Sequence, residues 1–102
     1  MAETVLYHVT SAEAWHRAQA TGRYEPESLA IEGFIHLSTA QQLDGTIARY
    51  FQGTIGLVVL EIDVSQVSTE VRYEESRPGE WFPHLYGPLE ITAVRRIFPV
   101  EP

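Results

Sequence analysis

Two strand-like stretches run directly into helix-start signals, and these junctions limit the folds open to the chain. "TVLYHVT" alternates in character and leads into "TSAE"; "GFIHLS" does the same and leads into "TAQQ". Both four-residue endings match a capping box, in which a Ser or Thr side chain bonds the N3 N–H and a Glu or Gln at N3 reaches back. Thr10 and Thr39 are the expected caps, with Glu13 and Gln42 as their partners. A period of two puts Val5, Tyr7 and Val9 on one strand face and Leu6, His8 and Thr10 on the other. In the second strand Phe34, His36 and Ser38 share a face opposite Ile35 and Leu37.

The first helix is expected over Ser11 to Ala20 with Gly22 as its stop. The second is expected over Ala40 to Gln52, with Leu43, Ile47 and Phe51 as its apolar stripe and Gly53 as its end. Residues 23–32 read as irregular, because Pro26 breaks a helix interior. "GLVVLEIDV" is the most apolar stretch and reads as a central strand, with Glu61 and Asp63 on a wet edge. "TEVRYEES" is a further strand. "RPGEWFPHLYGPL", with three prolines and two glycines, reads as a structured loop, and "EITAVRRIFPV" supplies the last strand or two. The order β-α-β-α-β-β-loop-β is that of an α+β protein with a mainly β, split-sheet body and two short helices. The 102 residues suit a single domain over 1–102.

Composition removes several chemistries. There is no Cys and no Lys, and all seven cationic side chains are Arg. Thiolate nucleophiles, disulfides, Schiff bases and a phosphate-loop Lys are therefore excluded. A net charge of −7 argues against a broad nucleic-acid surface. The N-terminus has no signal-type apolar block and no apolar run is long enough to span a bilayer, so a cytoplasmic location is expected.

Of the four histidines, His16 falls mid-helix and reads as a surface residue. His8 and His36 each precede a hydroxyl residue by two positions, so His8 with Thr10 and His36 with Ser38 form one polar patch if their strands are neighbours. Thr39 would add its hydroxyl, and two helix N-termini would offer unpaired N–H groups suited to an anion. His84 and Tyr86 in "FPHLYGPL" would wall such a pocket. Glu74 and Glu75 face opposite ways, and one of them could enter the patch as a carboxylate acting on charge or protons. Each residue also has a structural reading: caps for the threonines, carbonyl partners for the histidines, solvation for the carboxylates. No close His pair indicates a metal, and none is expected.

"YHVT", a Trp-containing helix, "EGFIHLST", "VRYE" and "FPHLYGPL" together resemble the mostly bacterial family catalogued as domain of unknown function 952. "LYHVT" and "GFIHLS" are also similar, more distantly, to the opening strands of RNA 2′-phosphotransferases, members of the ADP-ribosyltransferase-like superfamily. That resemblance implies a split β fold whose cleft holds NAD or a related nucleotide. It implies that His8 holds a ribose hydroxyl, that His36 supports the nicotinamide side and that Ser38 lies near. Glu74 would stabilise an oxocarbenium-like ribose. Val9 stands where those proteins have glycine, and their phosphate-binding arginines have no clear counterparts. Three functions remain open: ribosyl or phosphoryl transfer or hydrolysis with His36 and Glu74 catalytic, a non-catalytic module for a small anionic ligand, or a structural and interaction domain. The residues themselves specify no cofactor, no membrane contact and no oligomeric state.

Overall fold

In the computed structural model, which describes residues 4–100, the first alternating segment is strand β1 (Val5–Ser11). Met1 to Glu3, part of the N-terminal expectation, lie outside the described residues. Ser11, rather than Thr10, caps helix α1 (Ala12–Thr21) by accepting the Ala14 N–H. The start is one residue later than expected because Thr10 is buried and bonds the Tyr24 hydroxyl at 2.9 Å. Gly22 ends α1 at φ 86°, a left-handed conformation that glycine adopts without a Cβ clash.

Residues 23–32 are ordered into strand β2 (Arg23–Tyr24) and helix α2 (Glu27–Glu32), so the described residues form three α-helices rather than two. Pro26 is the cap of α2, with extended backbone. Proline disrupts a helix interior, but at the start its missing N–H is one that no turn would use. Strand β3 is regular only over Ile35–His36. Thr39 then forms the expected capping box with Gln42, both bonds present, at the head of α3 (Ala40–Tyr50). That helix ends at Phe51, short of Gly53.

Strand β4 (Leu57–Asp63) is the central strand expected, paired antiparallel with β1 on one side and with β8 (Val94–Pro99) on the other. Its near-continuous apolar run follows from cover on both faces. Leu60 and Ile62 enter a core with Leu6, Trp15, Ile35, Leu85 and Leu89. Leu57 and Val59 join Val9 beneath Leu43, Ile47 and Phe51. Glu61 is not on a wet edge. It is buried, 3.3 Å from both Arg95 and Arg96, and it accepts a 3.3 Å bond from the Tyr7 hydroxyl. Register explains this: Arg96 and Tyr7 are its direct cross-strand partners.

The segment expected as a loop is mostly strand. β5 (Glu70–Arg77) and β6 (Glu80–Tyr86) form a hairpin, and β6 is the middle strand of a second sheet, β3-β6-β5. Turn chemistry is confined to Pro78 and Gly79, the latter at φ 79°, and to Gly87 and Pro88 beyond the end of β6. Pro83 lacks an N–H, but its carbonyl still accepts the Leu37 N–H at 3.0 Å. A short β7 (Leu89–Glu90) pairs with β2. The three-stranded sheets meet where Tyr7 and Ser38 exchange two backbone bonds of 2.8 Å. The observed class is α+β with mainly antiparallel sheets, and no helix among the described residues is long and apolar enough to cross a membrane.

Leu60 and Ile97 are direct partners across β4 and β8, yet Leu60 is wholly buried and Ile97 is 42% exposed. We expect Leu60→Ala to cost about 3–4 kcal/mol and Ile97→Ala less than about 1 kcal/mol. Urea unfolding of the two variants measures this contrast, and equal losses would contradict the placement of the core.

Candidate ligand cleft between the two sheets

Beside the Tyr7–Ser38 bridge the surface opens into a cleft of about 460 Å³. His8, His36, Ser38, Thr46 and Ser76 give it polar groups. Val9, Leu37, Tyr50, Phe51 and Phe82 give it apolar ones. Apolar walls with a few convergent polar groups are the usual make-up of a small-molecule site.

His8 is held at both nitrogens. Its Nδ1 lies 2.6 Å from the His36 carbonyl, and its Nε2 lies 2.8 Å from the Tyr24 hydroxyl. A carbonyl only accepts, so Nδ1 carries a proton. The Tyr24 hydroxyl continues the chain to Thr10. Burial pushes the His8 imidazole down to about 4, with the His36 carbonyl pulling the other way, although part of the side chain still meets solvent. His36 is exposed, and its Nε2 lies 2.7 Å from Oε1 of Glu32, the last residue of α2. Ser38 and Thr46 bond each other at 3.0 Å.

A second polar group stands on the β5–β6 hairpin. Glu74 Oε1 accepts from the Tyr86 hydroxyl at 2.6 Å and from His84 Nδ1 at 2.7 Å. These two donors, Tyr86 first, hold the Glu74 carboxyl below its ordinary range, and the same bond raises the Tyr86 phenol. His84 Nε2 lies 3.2 Å from Ser76 Oγ. Phe34 stacks on the His84 ring at 4.0 Å, and the His36 ring stands 5.3 Å away, nearly at right angles. The Arg72 guanidinium lies 4.4 Å over the Tyr86 ring. Period-two alternation makes this grouping: Arg72, Glu74 and Ser76 project from β5 toward His84 and Tyr86 on β6, and His84 is the register partner of His36.

Residues 9–97 match the family model described as "Protein of unknown function (DUF952)". The chain belongs to this family. Its fold is similar to the crystal structure of protein CC0527 from Caulobacter crescentus, which is 36% identical, with a TM-score of 0.88 over 96% of this chain and 87% of that one. The solution NMR structure of the same protein gives a TM-score of 0.83 at 36% identity, covering 97% and 86%. No curated protein matches the chain. The DUF952 match begins one residue after His8 and contains every other residue of the two polar groups.

Within this DUF952 fold, the expected patch is partly assembled. His8, His36 and Ser38 line one cleft, as the matched strands predicted. Thr10 and Thr39 do not line it, because one binds Tyr24 and the other is occupied by the capping box. The expected helix N-termini are absent from the lining too: α3 contributes Thr46 and Tyr50, from its C-terminal half, and its cap Phe51. His84, Tyr86 and Glu74 stand together on the hairpin rather than in the lining. Glu75 points elsewhere and accepts the Gly79 N–H. Sequence reasoning missed Tyr24, Thr46 and Ser76. Ser76 had a signal, lying two residues from Glu74 on the same strand face. Thr46 had one as well, sitting on the helical stripe that contains Leu43, Ile47 and Tyr50. Among the described residues no group of three His, Cys, Asp or Glu side chains is arranged to hold a metal ion.

His8 ties stability to pH. Its value falls from an ordinary 6.5 to about 4 on folding, so between these limits the unfolded chain binds the extra proton. The stabilisation is complete above about pH 6.5 and is lost as the pH falls toward 4. Its size is roughly 2 kcal/mol once partial exposure is discounted. The stability difference between wild type and His8→Gln, from urea unfolding at stepped pH, should shrink by about that amount over this window. A difference that stays flat would show that His8 is not held neutral.

Proposed function

We propose that this DUF952 protein binds a nucleotide-like small molecule in the cleft and transfers or hydrolyses it at a ribosyl centre. The observation that carries the reading is that His8 and His36, from strands of different sheets, meet at one open cleft through the 2.6 Å bond between the His8 ring and the His36 carbonyl. The more distant resemblance of their two motifs to ADP-ribosyltransferase-like proteins supports the same assignment. Among the described residues the lining holds imidazoles and hydroxyls but no Arg and no carboxylate. Such a lining suits ribose hydroxyls and a flat base against Tyr50, Phe51 and Phe82, with phosphates left toward solvent. It favours the ribosyl centre over the phosphoryl one. Glu74 does not reach the cleft as a direct partner of the ribose; it is linked to the lining through His84 and Ser76.

That same lack of a lining carboxylate favours a second reading, a binding module without turnover. An open cleft beside an exposed His36 speaks against a purely structural role.

Titration calorimetry with NAD, ADP-ribose and adenosine tests binding, and chromatography of the mixtures tests turnover. We expect at least one ligand to bind, with His36→Ala and His8→Ala each weakening it about tenfold or more, the loss of one or two buried hydrogen bonds. Glu74→Gln should keep the affinity and lower turnover if the protein is a transferase or hydrolase. Binding without turnover in wild type selects the module. No binding at millimolar concentration by any of the three sinks the proposal.

A further inference from the structure

A second chain of polar side chains stands on the hairpin. Ser76 Oγ, His84 and Glu74 follow one another at 3.2 and 2.7 Å. Glu74 accepts at Nδ1, so neutral His84 keeps its proton there and turns the Nε2 lone pair toward the Ser76 hydroxyl. The imidazole is buried and stacked against Phe34, which restricts it to one orientation. Tyr86 bonds the same Glu74 oxygen and steadies the carboxylate. Ser76, in contrast, is exposed and lines the cleft. A hydroxyl, a base and a group that orients the base, each within hydrogen-bond reach of the next, are what a weak oxygen nucleophile needs.

The backbone supports the same reading. Glu75 opposes Trp81 and Arg77 opposes Glu80, which leaves Ser76 as the extra residue of a β-bulge. Bulges bend a strand and re-aim a side chain, and they are frequent beside active sites. Here the bulged residue is the hydroxyl at the cleft.

We propose that Ser76 is a nucleophile, with His84 as its base and Glu74 as the positioning residue, acting on a carboxylic ester whose acyl group is small and apolar. Leu37, Phe51 and Phe82 supply the apolar lining for that group. The Ser76 oxygen bonds to the carbonyl carbon while its proton passes to His84 Nε2. The tetrahedral adduct then breaks its bond to the alcohol oxygen, which leaves with that proton. Water attacks the acyl-serine and gives a proton to His84. The carboxylic acid departs as Ser76 recovers its hydrogen, so ester and water become acid and alcohol. A donor for the developing oxyanion is present in the same lining, since the Ser38–Thr46 pair has one hydroxyl hydrogen more than its own bond uses. This function goes beyond the ribosyl reading and does not rest on it.

The test exposes the full chain to an alkyl fluorophosphonate, which bonds to an activated serine oxygen through phosphorus as fluoride leaves and the proton passes by way of His84 to buffer. Intact mass spectrometry should show one phosphonyl group, and peptide fragmentation should place it on Ser76. Ser76→Ala, a change at an exposed site that leaves the core untouched, should not gain the mass. p-Nitrophenyl acetate should release nitrophenol with wild type and not with Ser76→Ala. Glu74→Gln keeps an oxygen that can accept from Tyr86 and from His84 Nδ1, but it removes the negative charge that stabilises the imidazolium formed as His84 takes the Ser76 proton. Labelling should then slow by about 100-fold or more, while the ¹⁵N shifts of His84 should still report the Nδ1–H tautomer, which separates a lost charge from a misplaced ring. No mass gain, a label on another residue, equal labelling of Ser76→Ala, or Glu74→Gln labelling at the wild-type rate would each overturn the proposal. Labelling of a chain that binds no nucleotide keeps this inference and removes the ribosyl one; nucleotide binding without labelling does the reverse.

Discussion

The two backbone bonds between Tyr7 and Ser38 are what the rest of the molecule is arranged around. In extended chain, successive N–H groups point to opposite sides. Leu37 donates to Pro83 of the second sheet, and Ser38, the next residue, donates to Tyr7 of the first. The segment from Ile35 to Ser38 is therefore the shared margin of both sheets. Because β3 is so short, the sheets are joined over a narrow front and diverge beside it, and the divergence is the cleft. The side chains obey the same alternation: Ile35 and Leu37 enter the core, while Phe34 and His36 turn toward His84.

Three histidines within this small region have been given three different environments. His8 is desolvated and tied at both nitrogens, to the His36 carbonyl and the Tyr24 hydroxyl. His36 is exposed beside Glu32, and its side chain remains accessible from the cleft. His84 is buried between Phe34 and the hairpin, with a carboxylate on one nitrogen and a hydroxyl on the other. Imidazole responds to such differences more than any other side chain, because its ordinary protonation range lies near neutrality. Three copies of one residue thus sit in three chemically distinct settings.

Much of this was readable in the sequence wherever local rules and tertiary contacts agreed. The Thr39 capping box, the Gly22 stop, the central "GLVVLEIDV" strand and the meeting of His8 with His36 and Ser38 all follow from short-range pattern. The failures lie where a long-range partner overrides local preference. Thr10 has cap chemistry, but Tyr24 takes its hydroxyl. Prolines and glycines in "RPGEWFPHLYGPL" signal a loop, but pairing on both sides makes β6 a central strand. Spacing puts Ser76 on the face of Glu74, but the bulge that re-aims it and the His84 ring beside it cannot be counted from the sequence. Glu61 looked solvated because the approach of Arg95 and Arg96 depends on a strand more than thirty residues away.

The outer margins of the sheets carry a further consequence. Among the described residues, β5 and β8 each leave one side without a neighbouring strand. Such edges are templates for unwanted pairing with another chain, and charge is a common defence. β5 presents Glu70, Arg72, Glu74, Glu75 and Arg77 within eight residues, and β8 presents Arg95 and Arg96 before closing on Pro99. The hairpin's outermost strand therefore serves two selections at once. Its charges keep the edge from recruiting a copy of itself, and one of them, Glu74, also orients His84. Apolar drift on β5 would expose the chain to aggregation and disarm the site in the same step.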